Sequence, residues 1–427
     1  MKKALIVTTI SGFVPQFELN NVTLLQQLGY EVHYASNFER PVYEFDPRIF
    51  VKKEITVHHL PIEKSPAHLV KNGKALLALC RLLRSERFDL IHCHNPMGGV
   101  LARVAGALCA PRTVLLYTAH GFHFYHGAPW RNWICYYPVE RLLARATDFL
   151  ITINEEDYVR AKRFSLKQGG CVWKTPGAGL DVGRFVPKAK DGRKERLGFP
   201  EDCFLLLSVG ELNRNKNHQV VIRALAQLWE DNVCYGICGR GDQKEALEKL
   251  ICRMGLQGRV KLLGYRCDIE NVLPAADLFV FPSKREGFGM AAVEAMAAGL
   301  PVVAADCRGT REYMQDGVTG IVCRDGRPQT YREAILRLRE DARERARMSR
   351  DNRQRALLFS REAAKNVMEC VYARADACVN ESAAAAAATV ETAVRRALEA
   401  GAQRPEAGMR RRAAQSGREQ RKDGLQE

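Results

Sequence analysis

The chain has 427 residues, of which 46% are hydrophobic, and its formal net charge is +16 at pH 7. This length exceeds one ordinary hydrophobic core and suits two domains. No run of about 18 apolar residues occurs, so we expect no membrane-spanning helix. The N-terminal apolar run breaks at Thr8 and Thr9, too early for a secretory signal peptide. Fourteen scattered cysteines without metal-ligand spacing indicate a reducing cytoplasm.

The large positive charge calls for a partner or a role in solubility. No recognised nucleic-acid module is present and the basic residues are spread along the chain, so we expect no nucleic-acid partner. An anionic membrane surface is the better candidate, because each basic residue near such a surface adds to the attraction.

The first third of the chain alternates strand patterns with helix patterns. This rhythm predicts a doubly wound parallel sheet. Strands are predicted at 4–8, 31–35, 88–92, 113–117 and 149–153, and helices at 18–28, 69–83 and 139–145.

A second region repeats the rhythm, after a proline-containing basic linker near 185–194. A late helix at 361–372, with Ser360 as its cap, follows it. Beyond residue 380 the chain is rich in alanine and arginine and lacks aromatic residues, which predicts a disordered tail at 380–427 without a catalytic role. Strands are predicted at 203–209, 233–238, 260–263, 277–282 and 300–305, and helices at 220–229, 243–254 and 290–298.

The most informative segment is 281–294, where Glu286 and Glu294 bracket a Gly-Phe-Gly turn. Strand, glycine loop, helix and strand form one parallel βαβ unit, and the N-terminus of its helix lies at the ligand-binding edge of the sheet. The glycines permit close backbone approach, and the free N–H groups of the first helical turn favour a diphosphate. Two carboxylates can accept hydrogen bonds from sugar and ribose hydroxyls. The alternative is a pair of glutamates that only stabilises the helix dipole.

This segment strongly resembles the donor-site signature of retaining glycosyltransferase family 4, which has the GT-B fold. Further matches extend the resemblance over about residues 1–375. It implies two Rossmann-like α/β domains that face each other across a cleft: an acceptor-side domain at 1–187 and a nucleotide-sugar-binding domain at 188–358. A C-terminal helix at 359–379 would return towards the first domain.

The resemblance also implies roles for residues of the signature. The first glutamate of the family contacts the transferred sugar and the second contacts the nucleotide ribose, so these roles fall on Glu286 and Glu294. The remaining donor-binding positions of the segment are Gly287, Phe288, Gly289 and Met290.

A second family feature follows the strand at 203–209. Family members carry an arginine and, some residues later, a lysine that hold the donor diphosphate. Lys216 matches the lysine, whereas Glu211 occupies the position of the arginine and cannot clamp a phosphate. We expect Arg214 to supply the second positive charge. The alternative is a solvated polar turn.

Other matches are single residues. His120 follows the strand at 113–117, where the family places a histidine or aspartate near the transferred sugar; His123 and His126 are rivals for that role. Gly12 is expected near the donor, and Tyr265 or Arg266 beside the base. Plain turn chemistry explains the glycine and the last two positions equally well.

Two patterns remain ambiguous. His92 and His94 lie two residues apart on one strand, but the sequence offers no third ligand, so we expect no metal there. Seven aromatic residues crowd into 122–137 with arginines nearby, which fits a membrane interface or a lipid-linked acceptor cleft, and fits an ordinary aromatic core about as well.

We therefore expect a cytoplasmic enzyme, attached peripherally to the inner face of the cell membrane. It would transfer a sugar from a nucleoside diphosphate sugar, UDP-linked in our expectation, to an acceptor hydroxyl with retention. The expected acceptor is a lipid-linked saccharide of extracellular or capsular polysaccharide biosynthesis. Family 4 enzymes need no bound metal, so we expect no cofactor. The alternatives are a sugar-nucleotide epimerase of the same fold and a non-catalytic partner subunit, for which Glu211 is the only support.

Overall fold

A computed structural model describes residues 1–39, 42–185, 193–228, 232–382 and 384. The chain divides into two units, Met1–Ala373 and Arg374–Glu427. In the second unit, residues 374–382 and 384 are helical. The predicted tail at 380–427 lies almost entirely outside the described residues, and so does most of the predicted linker.

The first half of the larger unit is built on a seven-stranded parallel sheet in the order β3-β2-β1-β4-β5-β6-β7. Its central strands are mostly buried and mostly apolar, as expected for a parallel sheet that helices cover on both faces. The strands are β1 (Lys2–Val7), β2 (Tyr30–Ser36), β3 (Ile55–His59), β4 (Leu90–His94), β5 (Val114–Ala119), β6 (Phe149–Thr152) and β7 (Cys171–Lys174).

Helices connect these strands. A single π-helical turn, Val14–Glu18, precedes the first of them. The helices are α1 (Leu19–Gln27), α2 (Arg48–Lys52), α3 (Leu69–Glu86), α4 (Pro96–Cys109), α5 (Trp130–Cys135), α6 (Tyr137–Ala144) and α7 (Glu155–Ala161).

The second half is built on a six-stranded parallel sheet in the order β10-β9-β8-β11-β12-β13. Its strands are β8 (Phe204–Val209), β9 (Val233–Cys238), β10 (Val260–Gly264), β11 (Leu278–Phe281), β12 (Val302–Ala305) and β13 (Gly320–Cys323). Its helices are α8 (Arg193–Arg196), α9 (His218–Ala226), α10 (Lys244–Arg253), α11 (Ile269–Val272), α12 (Met290–Ala297), α13 (Pro328–Glu340) and α14 (Ala342–Ala356).

Both sheets reverse their strand order at one point, which is where doubly wound folds bind ligands. In the first sheet β1 lies beside β4, and in the second β8 lies beside β11. The loops that follow these strands therefore meet at the carboxyl edge of each sheet. This topology brings the loop after β8 to the loop after β11, although about 70 residues separate them in sequence.

The predicted doubly wound parallel sheets are confirmed, and most predicted elements match within a few residues. β3, β7 and β13 were not predicted. β7 and β13 have only four residues each, and all three lie at sheet edges, where fewer positions are buried and the apolar signal is weak. Residue 229, at the end of a predicted helix, lies outside the described residues.

A helix at 361–382 follows the second half. Ser360 accepts a hydrogen bond from the backbone N–H of Ala363 at 3.2 Å, so the predicted cap is confirmed. The bridge between Leu180 and Ser360 and a 2.7 Å hydrogen bond between Tyr372 and His92 of β4 connect this segment to the first half.

Candidate active site

The two loops at the switch point of the second sheet are joined by an ion pair. Lys216 Nζ lies 2.6 Å from Glu286 Oε1, and both side chains are mostly buried. Lys216 also lies over the ring of Phe281 at 5.1 Å. The structure thus places a cation predicted to hold phosphate directly against the carboxylate predicted to contact the sugar.

Backbone contacts fix these loops. Asn213 Oδ1 accepts hydrogen bonds from the N–H groups of Asn215 and Lys216, so the loop after β8 folds around one side chain. Asn215 then donates to the carbonyl of Arg285 and accepts from the N–H of Lys284. Asn213 and Asn215, whose sequence suggests an ordinary polar turn, therefore fix the positions of Lys216 and Glu286 relative to each other.

The helix α12 begins directly after this loop. Gly289, its first flanking residue, has φ 95°, a conformation that favours glycine. A side chain there would meet Phe281 and Tyr313. The N–H group of Ala292 donates to the carbonyl of Gly289 at 3.1 Å, whereas those of Met290 and Ala291 precede the first bond of the helix and can bind an anion.

Glu294 lies about one turn into α12. No described residue forms a hydrogen bond or ion pair with its carboxyl group. Burial raises the pKa of this group to about 7, and the nearby positive charge of Arg184 partly offsets that rise. A half-buried carboxyl group without a partner is suited to accept hydrogen bonds from a vicinal diol.

His120 reaches this site from the first half. A side chain at Gly287 would overlap the carbonyl oxygen of His120, so the glycine is required for the two halves to meet here. The His120 ring stacks edge-on against Phe13 at 5.0 Å. Burial lowers the pKa of His120 to about 4, which keeps the imidazole neutral.

A buried ion pair joins the two halves beside the same loop. Arg308 donates to Asp157 Oδ1 at 2.7 Å and to the carbonyl of Phe122 at 2.7 Å, and its side chain is 4% exposed. It also donates to the carbonyl of Glu286 at 3.2 Å. Asn154 donates to the carbonyl of Gly287 at 2.9 Å. The glutamate loop is therefore held by groups from both halves.

A second contact between the halves involves Tyr43. A side chain at Gly12 would meet the backbone of Tyr43, so Gly12 makes room for this residue. Burial raises the pKa of Tyr43, and the nearby groups of Glu211 and Tyr265 raise it further. Arg240 stacks on Tyr265 at 4.7 Å and donates to a carbonyl of the 42–44 segment.

Comparison with known proteins decides the family. A model described as glycosyl transferases group 1 matches residues 190–355, and a glycosyl transferase 4-like domain matches residues 19–165. EpsD of Bacillus subtilis (strain 168), named as a glycosyltransferase, is 36% identical over 377 residues, covering 87% of this chain and 96% of EpsD. The chain belongs to glycosyltransferase family 4.

Two further relatives of this glycosyltransferase are informative. An Escherichia coli protein named UDP-Gal:alpha-D-GlcNAc-diphosphoundecaprenol alpha-1,3-galactosyltransferase is 29% identical, covering 64% of this chain and 72% of that protein. The crystal structure of Anabaena HepE with UDP-glucose has a TM-score of 0.70 at 21% identity, covering 88% of this chain and all of that chain. The GT-B fold and hexosyltransferase class that the signature implied are confirmed.

Two residues expected in the donor site, Arg214 and Arg266, have surroundings that the sequence did not indicate. Arg214 is exposed and lines a cavity of about 460 Å³ between α9 and α10, together with Arg223 and Lys284. Arg266 is paired with Asp268 at 2.7 Å. The structure thus brings Lys216 to Glu286 and directs Arg214 to a different surface.

The side chains of Phe288 and Met290 differ in their burial. Phe288 is 4% exposed and packs against Tyr313 and Phe359, so it belongs to the core of the second half. Met290 is half-buried at the start of α12. The structure therefore assigns the Phe288 side chain a packing role.

Several residues at the site were not predicted from sequence. Arg308 lies in the turn after β12 and Asp157 in the first turn of α7, neither belongs to a recognised motif, and only the tertiary structure brings them together. Glu18 and His94 lie within 4.8 Å of His120, measured between their potential ligand atoms. His94 had been set aside for want of a third ligand; a carboxylate and a histidine distant in sequence now flank it.

The aromatic segment at 122–137 is mostly core. Phe122 and Phe124 are buried and stack at 4.8 Å, and Trp133 and Tyr137 pack against Phe124. Trp130, by contrast, is 67% exposed at the start of α5. No helix among the described residues is long and apolar enough to cross a membrane.

Proposed function

We propose that this glycosyltransferase transfers a hexose from a UDP-sugar to a hydroxyl group of a lipid-linked saccharide, with retention at the anomeric carbon, in extracellular or capsular polysaccharide biosynthesis. The observation that carries the proposal is the arrangement of Lys216, Glu286 and the N-terminus of α12 around one point, opposite His120. The cation and the helix N–H groups suit a diphosphate, and the carboxyl groups of Glu286 and Glu294 suit a sugar and a ribose.

The chemical task is to stabilise a leaving diphosphate and an oxocarbenium-like sugar. Lys216 and the free N–H groups of α12 would offset the charge that develops on the diphosphate. Lys216 can do this only by turning from Glu286 towards the phosphate, which frees the Glu286 carboxylate to accept hydrogen bonds from the sugar. The ion pair therefore represents the resting arrangement of both groups.

The nucleotide and acceptor follow from the relatives together with the site. HepE binds UDP-glucose, and the Escherichia coli relative is named for a UDP-galactose donor and a diphosphoundecaprenol-linked acceptor. Glu294 offers its carboxyl group to a ribose diol, which every UDP-sugar carries. The match with EpsD covers 87% of this chain and 96% of EpsD, which supports a glycosyltransferase activity of the whole chain.

A mixture of exposed apolar and basic side chains supports the proposal of a lipid-linked acceptor and of peripheral attachment to the inner face of the cell membrane. In the first half, α3, α5 and α6 expose large apolar side chains. Exposed arginines and lysines lie on the same helices. The apolar residues are Leu69, Val70, Leu77, Trp130, Ile134 and Leu142, and the basic residues are Lys71, Lys74, Arg81, Arg84, Arg131 and Arg141. Helices that expose both apolar and basic side chains suit an anionic bilayer.

The test is incubation with a panel of UDP-sugars and a diphosphoundecaprenol-linked saccharide, with product analysis. Free UDP together with an extended saccharide supports transfer, and the anomeric configuration of the product decides between retention and inversion. An epimerised sugar nucleotide would favour the epimerase alternative. If neither product forms with any UDP-sugar, transfer from UDP is wrong.

A further inference from the structure

Glu18, His94 and His120 form a buried acid–histidine cluster beside the candidate site. Glu18 and His94 have no role in the proposed function so far. His94 Nδ1 lies 3.5 Å from Glu18 Oε1 and 3.2 Å from His120 Nε2. Glu18 and His94 are 4% and 1% exposed. β1 and β4 lie side by side, so the segment after β1 brings Glu18 to the end of β4, where His94 is located.

Both polar contacts of the His94 ring are made by Nδ1. Its Nε2 is buried and has no hydrogen-bond partner, whereas Nδ1 faces both Glu18 and His120. In a neutral imidazole one nitrogen donates and the other accepts. The proton on His94 Nδ1 therefore determines whether His120 Nε2 accepts or donates, and the tautomer of His120 follows.

Glu18 is the neighbour that can set this proton. If Glu18 is ionised, its carboxylate stabilises an N–H group at His94 Nδ1; His120 Nε2 then accepts, and His120 Nδ1 carries the proton. If Glu18 is protonated, His94 Nδ1 is free to accept from His120 Nε2–H, and His120 Nδ1 becomes an acceptor. No described residue bonds to His120 Nδ1, which leaves this nitrogen for a substrate.

His120, Glu18 and Thr118 line a recess of about 30 Å³, which is roughly the space of one water molecule or one hydroxyl group. We propose that Glu18 and His94 are positioning residues that fix the tautomer of His120, so that His120 presents Nδ1 as a hydrogen-bond acceptor to a hydroxyl group of a bound saccharide. This inference rests on the proposed function, because it concerns the same reaction.

Burial supports the protonated state of Glu18 at neutral pH. Burial raises the pKa of Glu18 to about 8, against the opposing effect of a hydrogen bond from Asn21. Burial also lowers the pKa of His94 well below its ordinary value and that of His120 to about 4, so both rings stay neutral.

His92 and the tyrosines around Glu18 keep a constant charge over the relevant pH range. Burial raises the pKa of Tyr34 to about 12 and that of Tyr372 well above 10, and it lowers the pKa of His92 to about 3. Lys365 lines the recess and pairs with Glu369 at 3.3 Å. The cluster therefore has one group that titrates near pH 8, which is Glu18.

The experiment compares the wild type with Glu18→Gln over pH 6 to 9.5, using kcat for sugar transfer and the ¹⁵N chemical shifts of the histidine rings. In the wild type, kcat should fall and the His94 and His120 nitrogens should shift with one midpoint near pH 8. Glu18→Gln carries a permanently neutral side chain, so both transitions should disappear. Glu31→Gln is the matched control, because Glu31 also faces a histidine, His33, at 2.9 Å.

Glu31→Gln should retain both transitions. His94→Gln and His120→Gln assign the ring signals, and His94→Gln should lower kcat by about tenfold with the KM for donor nearly unchanged. Identical pH profiles and ring shifts in wild type and Glu18→Gln would overturn the inference. One equivalent of metal in the purified protein, lost in His94→Gln, would also overturn it. If the wild type transfers no sugar, the proposed function fails, and the ring shifts still test the tautomer.

Discussion

Lys216 Nζ and Glu286 Oε1 lie 2.6 Å apart, so the cation that we propose for the phosphate is neutralised by the carboxylate that we propose for the sugar. Each side chain is oriented by the other and by the asparagines of the preceding loop. A ligand that separates the pair offers a phosphate to one member and hydroxyl groups to the other. Donor binding thereby replaces one charged contact with two.

Glu286→Gln should lower kcat far more than it lowers affinity for UDP. The substitution removes a charged hydrogen bond to the reacting sugar, which costs about 1.5–3 kcal/mol of transition-state stabilisation. UDP should bind equally well or slightly more tightly, because Lys216 no longer has to leave a carboxylate. Steady-state kinetics and calorimetric titration with UDP measure the two effects. An unchanged kcat would contradict the sugar-binding role.

Lys216→Ala should weaken binding of UDP and of UDP-sugar alike, since both carry the diphosphate. Arg214→Ala is the matched control, because the structure places Arg214 in the cavity between α9 and α10. We expect Arg214→Ala to leave UDP affinity unchanged, and the stabilisation of the protein by UDP should shrink only for Lys216→Ala. Equal losses in the two variants would restore the original expectation that Arg214 is the second clamp.

Asp157→Asn should destabilise the chain by about 3–5 kcal/mol, because it leaves Arg308 buried and without its charged partner. The double variant Asp157→Leu, Arg308→Met should recover part of this loss, since it removes both charges. Denaturant unfolding gives the free energies. Asp46→Asn, which breaks the exposed pair with Arg48, serves as the control and should change stability little. A double variant no more stable than the sum of the separate Asp157→Leu and Arg308→Met changes would argue against coupling between the two residues.

Acid should destabilise the protein below pH 6.5 through its buried histidines. Burial lowers the pKa of His92 to about 3 and those of His120 and His218 to about 4. The unfolded state therefore binds more protons than the folded state between pH 6.5 and 4, and stability falls as pH falls through this window. Glu18 and Glu294 act oppositely, because their pKa values are raised, and their contribution is lost as pH rises towards 7 and 8.

His218→Gln isolates one of these histidines. The free energy of unfolding of the wild type should drop by up to about 3 kcal/mol more than that of the variant between pH 6.5 and 4. His126→Gln, at an exposed position, is the control and should follow the wild type. Parallel curves for wild type and His218→Gln would show that His218 becomes protonated without loss of structure.

A chain ending at residue 380 should bind anionic vesicles at low salt and release them at high salt, because salt screens the surface potential. Co-sedimentation measures this. The truncation removes Arg410 to Arg412, which could bind lipid by themselves. Trp130→Ser with Ile134→Ser should weaken binding, whereas the exposed pair Leu357→Ser with Leu358→Ser should not. No binding by the truncated chain at low salt would favour a soluble acceptor.

The sequence by itself determined the alternation of strands and helices and the glutamate signature at 286 and 294. Those features are local: an apolar run makes a buried strand, and glycines before a helix mark a close backbone approach. Lys216 was assigned its role through its match to the lysine of the family, and that role stays a prediction. The GT-B fold was inferred from the resemblance to the family, because the order of strands in a sheet cannot be derived from periodicity alone.

Only the tertiary structure decided which side chains meet. The contacts of His120 with His94, of Glu18 with His94, and of Arg308 with Asp157 join segments that lie far apart in sequence. The switch points of the two sheets bring their loops together, and no local pattern encodes such a meeting. Arg214 shows the same limit from the other side: its charge and spacing suited the phosphate, but the turn of the loop at Asn213 directs Lys216 to the cleft and leaves Arg214 on the outer surface.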